Sequence, residues 1–164
     1  MLETPRLILR PFTLDDLEVY YLLGASPALV RFVGGRILQS REEARQLMID
    51  APLRDYAVHG YGRLACVEKA TDQVIGFCGL KNDATLGEVD VGYRFLEPSW
   101  GKGYATESAR AVLQHGREVL GLSRIVGVVH PANLASVRVL QKLGLVYEKK
   151  ARYAADGEEF DLYA

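Results

Sequence analysis

The chain has 164 residues, 49% of them apolar and 25% charged, and its 20 basic and 21 acidic side chains leave a formal charge of -1. This is the profile of one globular domain over residues 1–164, with enough apolar chain to bury a core and form a cleft. The near-zero charge argues against nucleic acid or an anionic membrane as partner, a local patch aside; no apolar run is long enough to cross a bilayer, and the residues Met1 to Arg6 do not read as a basic-then-apolar secretory signal.

Arg6, Leu7, Ile8, Leu9 and Arg10 form a short apolar-rich run stopped by Pro11, which predicts a first strand. Thr13 opens a helix with Asp15 and Asp16 where the dipole favours acids, and Leu14, Leu17, Tyr20 and Tyr21 recur at helical spacing as its buried face. Ser40 and Glu43 make a capping box for a second helix, with Ala44, Leu47 and Met48 along it. The pattern then turns to a hairpin, with apolar runs at 64–67 and 74–80 around a polar turn at Ala70, Thr71 and Asp72.

The strand over 88–95 alternates cleanly. Val89, Val91, Tyr93 and Phe95 share one face, and Glu88, Asp90, Gly92 and Arg94 the other. A glycine-containing turn then leads into a long helix to about Leu120, with Ala105, Ala109, Val112, Gly116 and Val119 inward. The apolar run 125–129 predicts a strand buried on both sides; Asn133 caps a fourth helix, and Gly144 suits its left-handed end. Two last strands, near 145–153 and 159–163, are joined by a turn at Ala155, Asp156 and Gly157. The order β-α-α-β-β-β-α-β-α-β-β describes a mixed α/β sheet, not an alternating doubly wound one. Cys66 and Cys78 are too few for a disulfide framework or a usual structural zinc site. They read as small buried thiols, although the hairpin allows them to face each other, and the expected compartment is the reducing cytoplasm.

The turn before the third helix carries the main chemical signal. A helix N-terminus has free N–H groups and partial positive charge, and glycine lets an anion come close to them. Gly101, Gly103 and Ala105 supply the small residues and Lys102 a cation, at the carboxyl edge of the sheet where ligands of α/β proteins bind. On its own, the same Gly-x-Gly is explained as well by a tight strand-to-helix connection. Two phosphate motifs are excluded by spacing. Leu96 and Gly103 stand where a P-loop needs glycine and Ser or Thr. Thr106, Ser123 and Arg124 stand where a dinucleotide fingerprint needs a small residue and an acid.

Trp100, Gly101, Lys102, Gly103, Tyr104 and Ala105 resemble the Gln/Arg-x-x-Gly-x-Gly/Ala acyl-CoA motif of the GNAT superfamily of N-acetyltransferases. Segments 4–12, 91–93, 104–107, 133–136 and 140–145 resemble its RimJ/RimL branch, so the resemblance covers almost the whole chain. Members of that branch acetylate N-terminal amines of ribosomal proteins, small amines or antibiotics. The resemblance implies a mixed, mostly antiparallel sheet of six to seven strands with splayed central strands and about four flanking helices. It also implies acetyl-CoA as co-substrate, no metal, and direct attack by a primary amine in a ternary complex, the acceptor being a protein N-terminus or a small molecule. Carried over, the pyrophosphate falls on Gly101, Lys102, Gly103, Tyr104, Ala105 and Thr106. The pantetheine arm runs along the backbone of Phe95 and Leu96, and Asn133 touches it. Trp100 departs from the general Gln or Arg, and its expected role is packing beside the turn.

Such a reaction needs a neutral amine, a site for an oxyanion and a proton for sulfur. A backbone N–H at Phe95 or Leu96 is the oxyanion candidate. Ser136 is the proton-donor candidate, against the alternative that it only satisfies backbone at a helix start. Asp90 and Glu88 are base candidates, against the alternative of a solvated sheet face. His59, His115 and His130 converge on no site. A non-catalytic acyl-CoA-binding module is the rival reading. Segments 15–52 and 147–163 are expected to select the acceptor, and a homodimer is left open.

Overall fold

The computed structural model describes residues 1–33, 36–152 and 158–164, and its frame is two antiparallel sheets that meet along one short parallel contact. The first sheet runs β1 (Leu2–Glu3), β2 (Leu7–Pro11), β3 (Arg63–Glu68), β4 (Gln73–Asp83), β5 (Glu88–Phe95) in spatial order. In the second, β8 (Glu159–Tyr163) lies between β6 (Gly127–Val129) and β7 (Tyr147–Arg152). The helices are α1 (Leu17–Ala25), α2 (Pro27–Val30), α3 (Arg41–Met48), α4 (Arg54–His59), α5 (Tyr104–Glu118) and α6 (Leu134–Lys142).

Strand alternation sets the layers. Leu7 and Leu9 of β2, Cys78 and Leu80 of β4 and Val91 and Phe95 of β5 pack with Ala109, Val112 and Leu113 of α5 in the larger core. Ala65 and Phe77 point the other way, into a second core with Phe12, Leu23 and Met48 that α1 and α3 cover. Each buried Leu, Val, Phe or Met side chain among them contributes about 1.5–3 kcal/mol by leaving water. Cys66 and Cys78 are both buried and free. No helix among the described residues is long and apolar enough to cross a membrane.

The mixed, mostly antiparallel architecture is the one expected, with β1 as an extra two-residue strand and α2 and α4 as extra short helices. Two local expectations are corrected. Leu14 is exposed, because residues Leu14–Asp16 form a 3-10 turn outside the helical stripe. Asp16 is the buried member of that turn, gripped by Arg10 through two bonds of 2.8 Å. Val119 is 68% exposed, since α5 stops at Glu118 and Ser108 and Leu113 join its inner face instead. Leu47 on α3 is also exposed, leaving Ala44 and Met48 as that helix's buried residues. The predicted turn at Ala155, Asp156 and Gly157 lies outside the described residues.

Candidate active site

The parallel contact between β5 and β6 is one bridge long. Val126 N–H donates to the Val89 carbonyl at 2.9 Å, and Val91 N–H to the Val126 carbonyl at 2.8 Å. The next β6 amide on that edge, Val128, donates instead to Asp90 Oδ1 at 3.1 Å. Beyond that point a cleft of about 340 Å³ opens, lined among others by Asp90, Gly92, Tyr93, Asn133 and Ser136. Asp90 thus sits at the vertex of the split.

Ladder alternation decides which backbone groups face the opening. Leu96 N–H donates to the Ile75 carbonyl of the neighbouring strand at 2.9 Å, so the even-numbered residues of this stretch direct their groups to β4. The odd-numbered residues direct theirs to β6, as Val89 and Val91 already do. Of the two expected oxyanion donors, Phe95 therefore faces the split while the Leu96 amide is spent on the ladder; the Tyr93 amide faces it too. Trp100 does more than pack: its indole Nε1 donates to the Phe95 carbonyl at 2.7 Å and ties the glycine turn to the strand end.

Ser136 meets a partner that alternation alone does not disclose. Asn133 caps α6 by accepting from Ser136 N–H at 3.2 Å, and this presents the Ser136 hydroxyl to Tyr93, with Oγ and Oη 2.8 Å apart. Burial pushes the Tyr93 phenol above its ordinary pKa, outweighing the bond with Ser136, so the pair remains protonated at neutral pH. Tyr93 reads in sequence as a core residue because its ring shares the apolar face; the available signal was a phenol two residues from the end of a strand leading to the turn.

The two carboxylates of β5 part company. Burial raises Asp90 to about 7, against the pull of Arg63's charge and the Val128 hydrogen bond. It is not on a solvated face. Glu88 lies at the outer end of the strand, where Arg124 Nε donates to both its oxygens at 3.0 and 3.1 Å. Arg124 also holds Glu148 at 2.9 Å, so Glu88 belongs to a surface ion cluster and does not line the cleft.

Phe95, Leu96 and the turn over 101–106 do not line that cleft; Gly101 and Gly103 both have left-handed backbone, φ 73 and 83, which side chains other than glycine adopt at a cost. The amides of Tyr104, Ala105 and Thr106 precede the first intrahelical bond, which is Glu107 N–H to the Gly103 carbonyl at 3.0 Å. An acid in this first turn would compete with a bound anion, and here it is tied back. Thr4 Oγ1 donates to Glu107 at 2.7 Å, and Arg6 adds its N–H at 2.9 Å and its Nε at 2.7 Å. Burial pushes the Glu107 carboxyl up, but these bonds win and hold it below the usual range. Arg6 also donates to the Lys102 carbonyl at 2.8 Å and lies over the Tyr104 ring at 4.4 Å. Sequence reasoning missed this brace, which joins residues about a hundred positions apart. Free amides, glycines and nearby cations fit a diphosphate, and the opening beyond Asp90 fits an extended arm. Among the described residues no group of three His, Cys, Asp or Glu side chains is placed to hold a metal ion.

The acetyltransferase (GNAT) domain model matches residues 6–146. An uncharacterized N-acetyltransferase, p20, of Bacillus licheniformis is 32% identical over 171 residues, which cover 99% of this chain and 92% of that protein. The uncharacterized N-acetyltransferase YoaA of Bacillus subtilis is 33% identical over 149 residues, 90% and 84% of the two chains. A crystal structure of an acetyltransferase from Agrobacterium tumefaciens, 27% identical, superposes with a TM-score of 0.85 over 99% of this chain and 91% of that one. The chain therefore belongs to the GNAT acetyltransferase family, in which an acetyl group passes from acetyl-CoA to an amine.

Proposed function

We propose that the protein is an acetyl-CoA-dependent N-acetyltransferase that modifies a primary amine, a peptide N-terminus or a small molecule, by direct attack in a ternary complex. The observation that carries this reading is the split between β5 and β6, with Asp90 at its vertex and the Tyr93–Ser136 pair beside it. When bound, acetyl-CoA supplies a thioester carbonyl open to a neutral amine. The amides of Gly101 through Thr106 hold its diphosphate, with Lys102 adding charge, and Asn133 and the backbone at Phe95 border its arm. The Tyr93 and Phe95 N–H groups, turned into the split, polarise the carbonyl oxygen; losing one such donor costs on the order of 3 kcal/mol of barrier.

Asp90 accepts the amine proton. A carboxylate that titrates near 7 is well matched to a protein α-amine of pKa roughly 7.7–8.0, of which a fair share is neutral already. The Tyr93–Ser136 hydroxyl pair supplies a proton to the departing sulfur, and Glu88 takes no part. The motif segments at 4–12 and 133–136 support placement near the RimJ/RimL branch, and free, buried Cys66 and Cys78 fit a reducing cytoplasm.

Thiol release from acetyl-CoA across a panel of amines and peptides, with mass spectrometry of the products, tests this reading. Expected is an acetylated amine with stoichiometric thiol, and loss of CoA binding by calorimetry in Gly103→Glu, whose carboxylate would face the diphosphate. Tight CoA binding without transfer to any amine would instead identify a binding module.

A further inference from the structure

On the Asp90 face of β5 two arginines, one from β3 and one from β5, have few partners among the described residues. Arg63 crosses from β3 and lies flat on Gly92: a Cβ there would stand 3.0 Å from its Nη2 and 3.1 Å from its Nε. Its Nε is buried with no acceptor, and among the described residues no carboxylate or carbonyl receives a bond from its guanidinium. Arg94, two residues along the same face, donates once, to the Leu23 carbonyl at 2.9 Å. Both guanidiniums rest on Phe77, at 5.3 and 5.5 Å from its ring centre. Burial, together with the charge of Arg63, lowers Arg94 to about 10.

The surrounding acids do not resolve this. Asp83 is taken up by Lys81 at 3.3 Å and by the Thr85 and Leu86 amides. Asp55 borders the second cavity but pairs with neither arginine, and Asp90, although it feels the charge of Arg63, bonds to Val128 and not to the guanidinium. Arg63 and Arg94 are half-buried; desolvated cations with few partners are costly, and structural arginines are ordinarily paired. A guanidinium fork presents parallel donors that match a carboxylate. The two arginines stand where the main cleft meets a second cavity of about 200 Å³ lined by Leu23, Leu38, Leu47 and Pro52 among others. That is space for a small molecule.

We infer that Arg63 and Arg94 form a carboxylate-binding subsite, and that the acceptor is a small amino acid whose amine lies toward Asp90 and whose carboxylate lies on these two guanidiniums. Along a strand, residues two apart are separated by roughly 7 Å, so Gly92 with its arginine cover stands one such step from Asp90 and one from Arg94. An amine and a carboxylate joined by one to three carbons span that interval. Polyamines and basic peptide N-termini are disfavoured by the same charges. This inference rests on the transferase reading above.

The test uses acetyl-CoA with the twenty L-amino acids, β-alanine, the matching carboxamides, spermidine, and peptides beginning with Asp or Glu. Amidation lowers the amine pKa and by itself favours the amide, so a preference for the free acid is read against that bias. Expected is at least one amino acid with kcat/KM on the order of 10–100-fold above its carboxamide, the range of one charged hydrogen-bonded pair. In Arg63→Gln that ratio falls toward one, mainly through KM, while Arg63→Lys retains part of it; CoA calorimetry on both variants checks that they are folded. Equal use of acids and amides, a ratio unchanged in Arg63→Gln, or acidic peptides surpassing every free amino acid would overturn the inference and leave the transferase reading standing. Thiol release from no amine at all would remove both.

Discussion

Replacing Asp90 by Asn separates what the residue does for catalysis from what it does for stability, because the two effects have opposite signs. Asn retains an oxygen for the Val128 amide, now served by Asp90 Oδ1 at 3.1 Å, and removes the titration. In the folded chain Asp90 is raised from 3.8 to about 7 by burial. A group with a raised folded pKa contributes fully below its unfolded value and loses that contribution as pH climbs to the folded one. Stability is therefore unaffected by this group below about pH 4 and falls by about 1.4 kcal/mol per pH unit until about pH 7. The total is about 4 kcal/mol. The Asn variant escapes this loss, so its advantage over the parent grows by about 2 kcal/mol between pH 5.5 and 8. Activity moves the other way: removal of the base lowers kcat/KM by about 10²–10⁴, and the inflection near pH 7 disappears. Urea unfolding at the two pH values, with pH–rate profiles for both proteins, supplies the measurements. A variant less stable than the parent at pH 8, or one that keeps the inflection near 7, refutes the placement of a buried, titrating base at the vertex.

Tyr93→Phe and Ser136→Ala each lower kcat by about 10–100-fold with little change in KM for acetyl-CoA, and the double variant falls hardly further, because the hydroxyls act as one donor; fully additive losses would show that they work separately. Arg6→Ala releases the Glu107 carboxylate beside the first turn of α5 and weakens CoA by about tenfold in calorimetry, the effect of one unscreened like charge. Adding Glu107→Gln restores most of that affinity, and an unrestored double variant would point to direct coenzyme contact by Arg6. Cys66 and Cys78 stay unlabelled by thiol reagents in the native protein, since burial raises both, Cys78 to about 12, and react only on unfolding. Labelling within minutes without denaturant would contradict their placement in the core.

Much of this architecture is legible in local pattern. β5 and β8 begin and end where alternation and turn residues place them, and Asn133 and Ser40 cap the helices they were expected to cap. What pattern does not carry is depth and distance. Alternation puts Asp90 and Glu88 on one face, but only the arrival of β6 buries the first, while the surface cation Arg124 claims the second. Tyr93 and Ser136 are 43 residues apart, and the Arg6–Glu107 brace spans 101. No window of neighbouring residues contains either pair. No expectation covered α4: the chain passes Pro52 into it through a wide π-type turn, Ile49–Leu53, and a proline with a rare turn leaves little local signal for a helix. The distinction between the Phe95 and Leu96 amides depends on which edge each faces, and that requires the β4–β5 register.

A crystal structure of the complex with CoA decides where the coenzyme lies. Expected are the diphosphate on the amides of Gly101 through Thr106, the arm between β5 and β6, and the sulfur within hydrogen-bonding reach of the Tyr93–Ser136 pair. A coenzyme bound outside that split, or a sulfur remote from Asp90 and both hydroxyls, would contradict it.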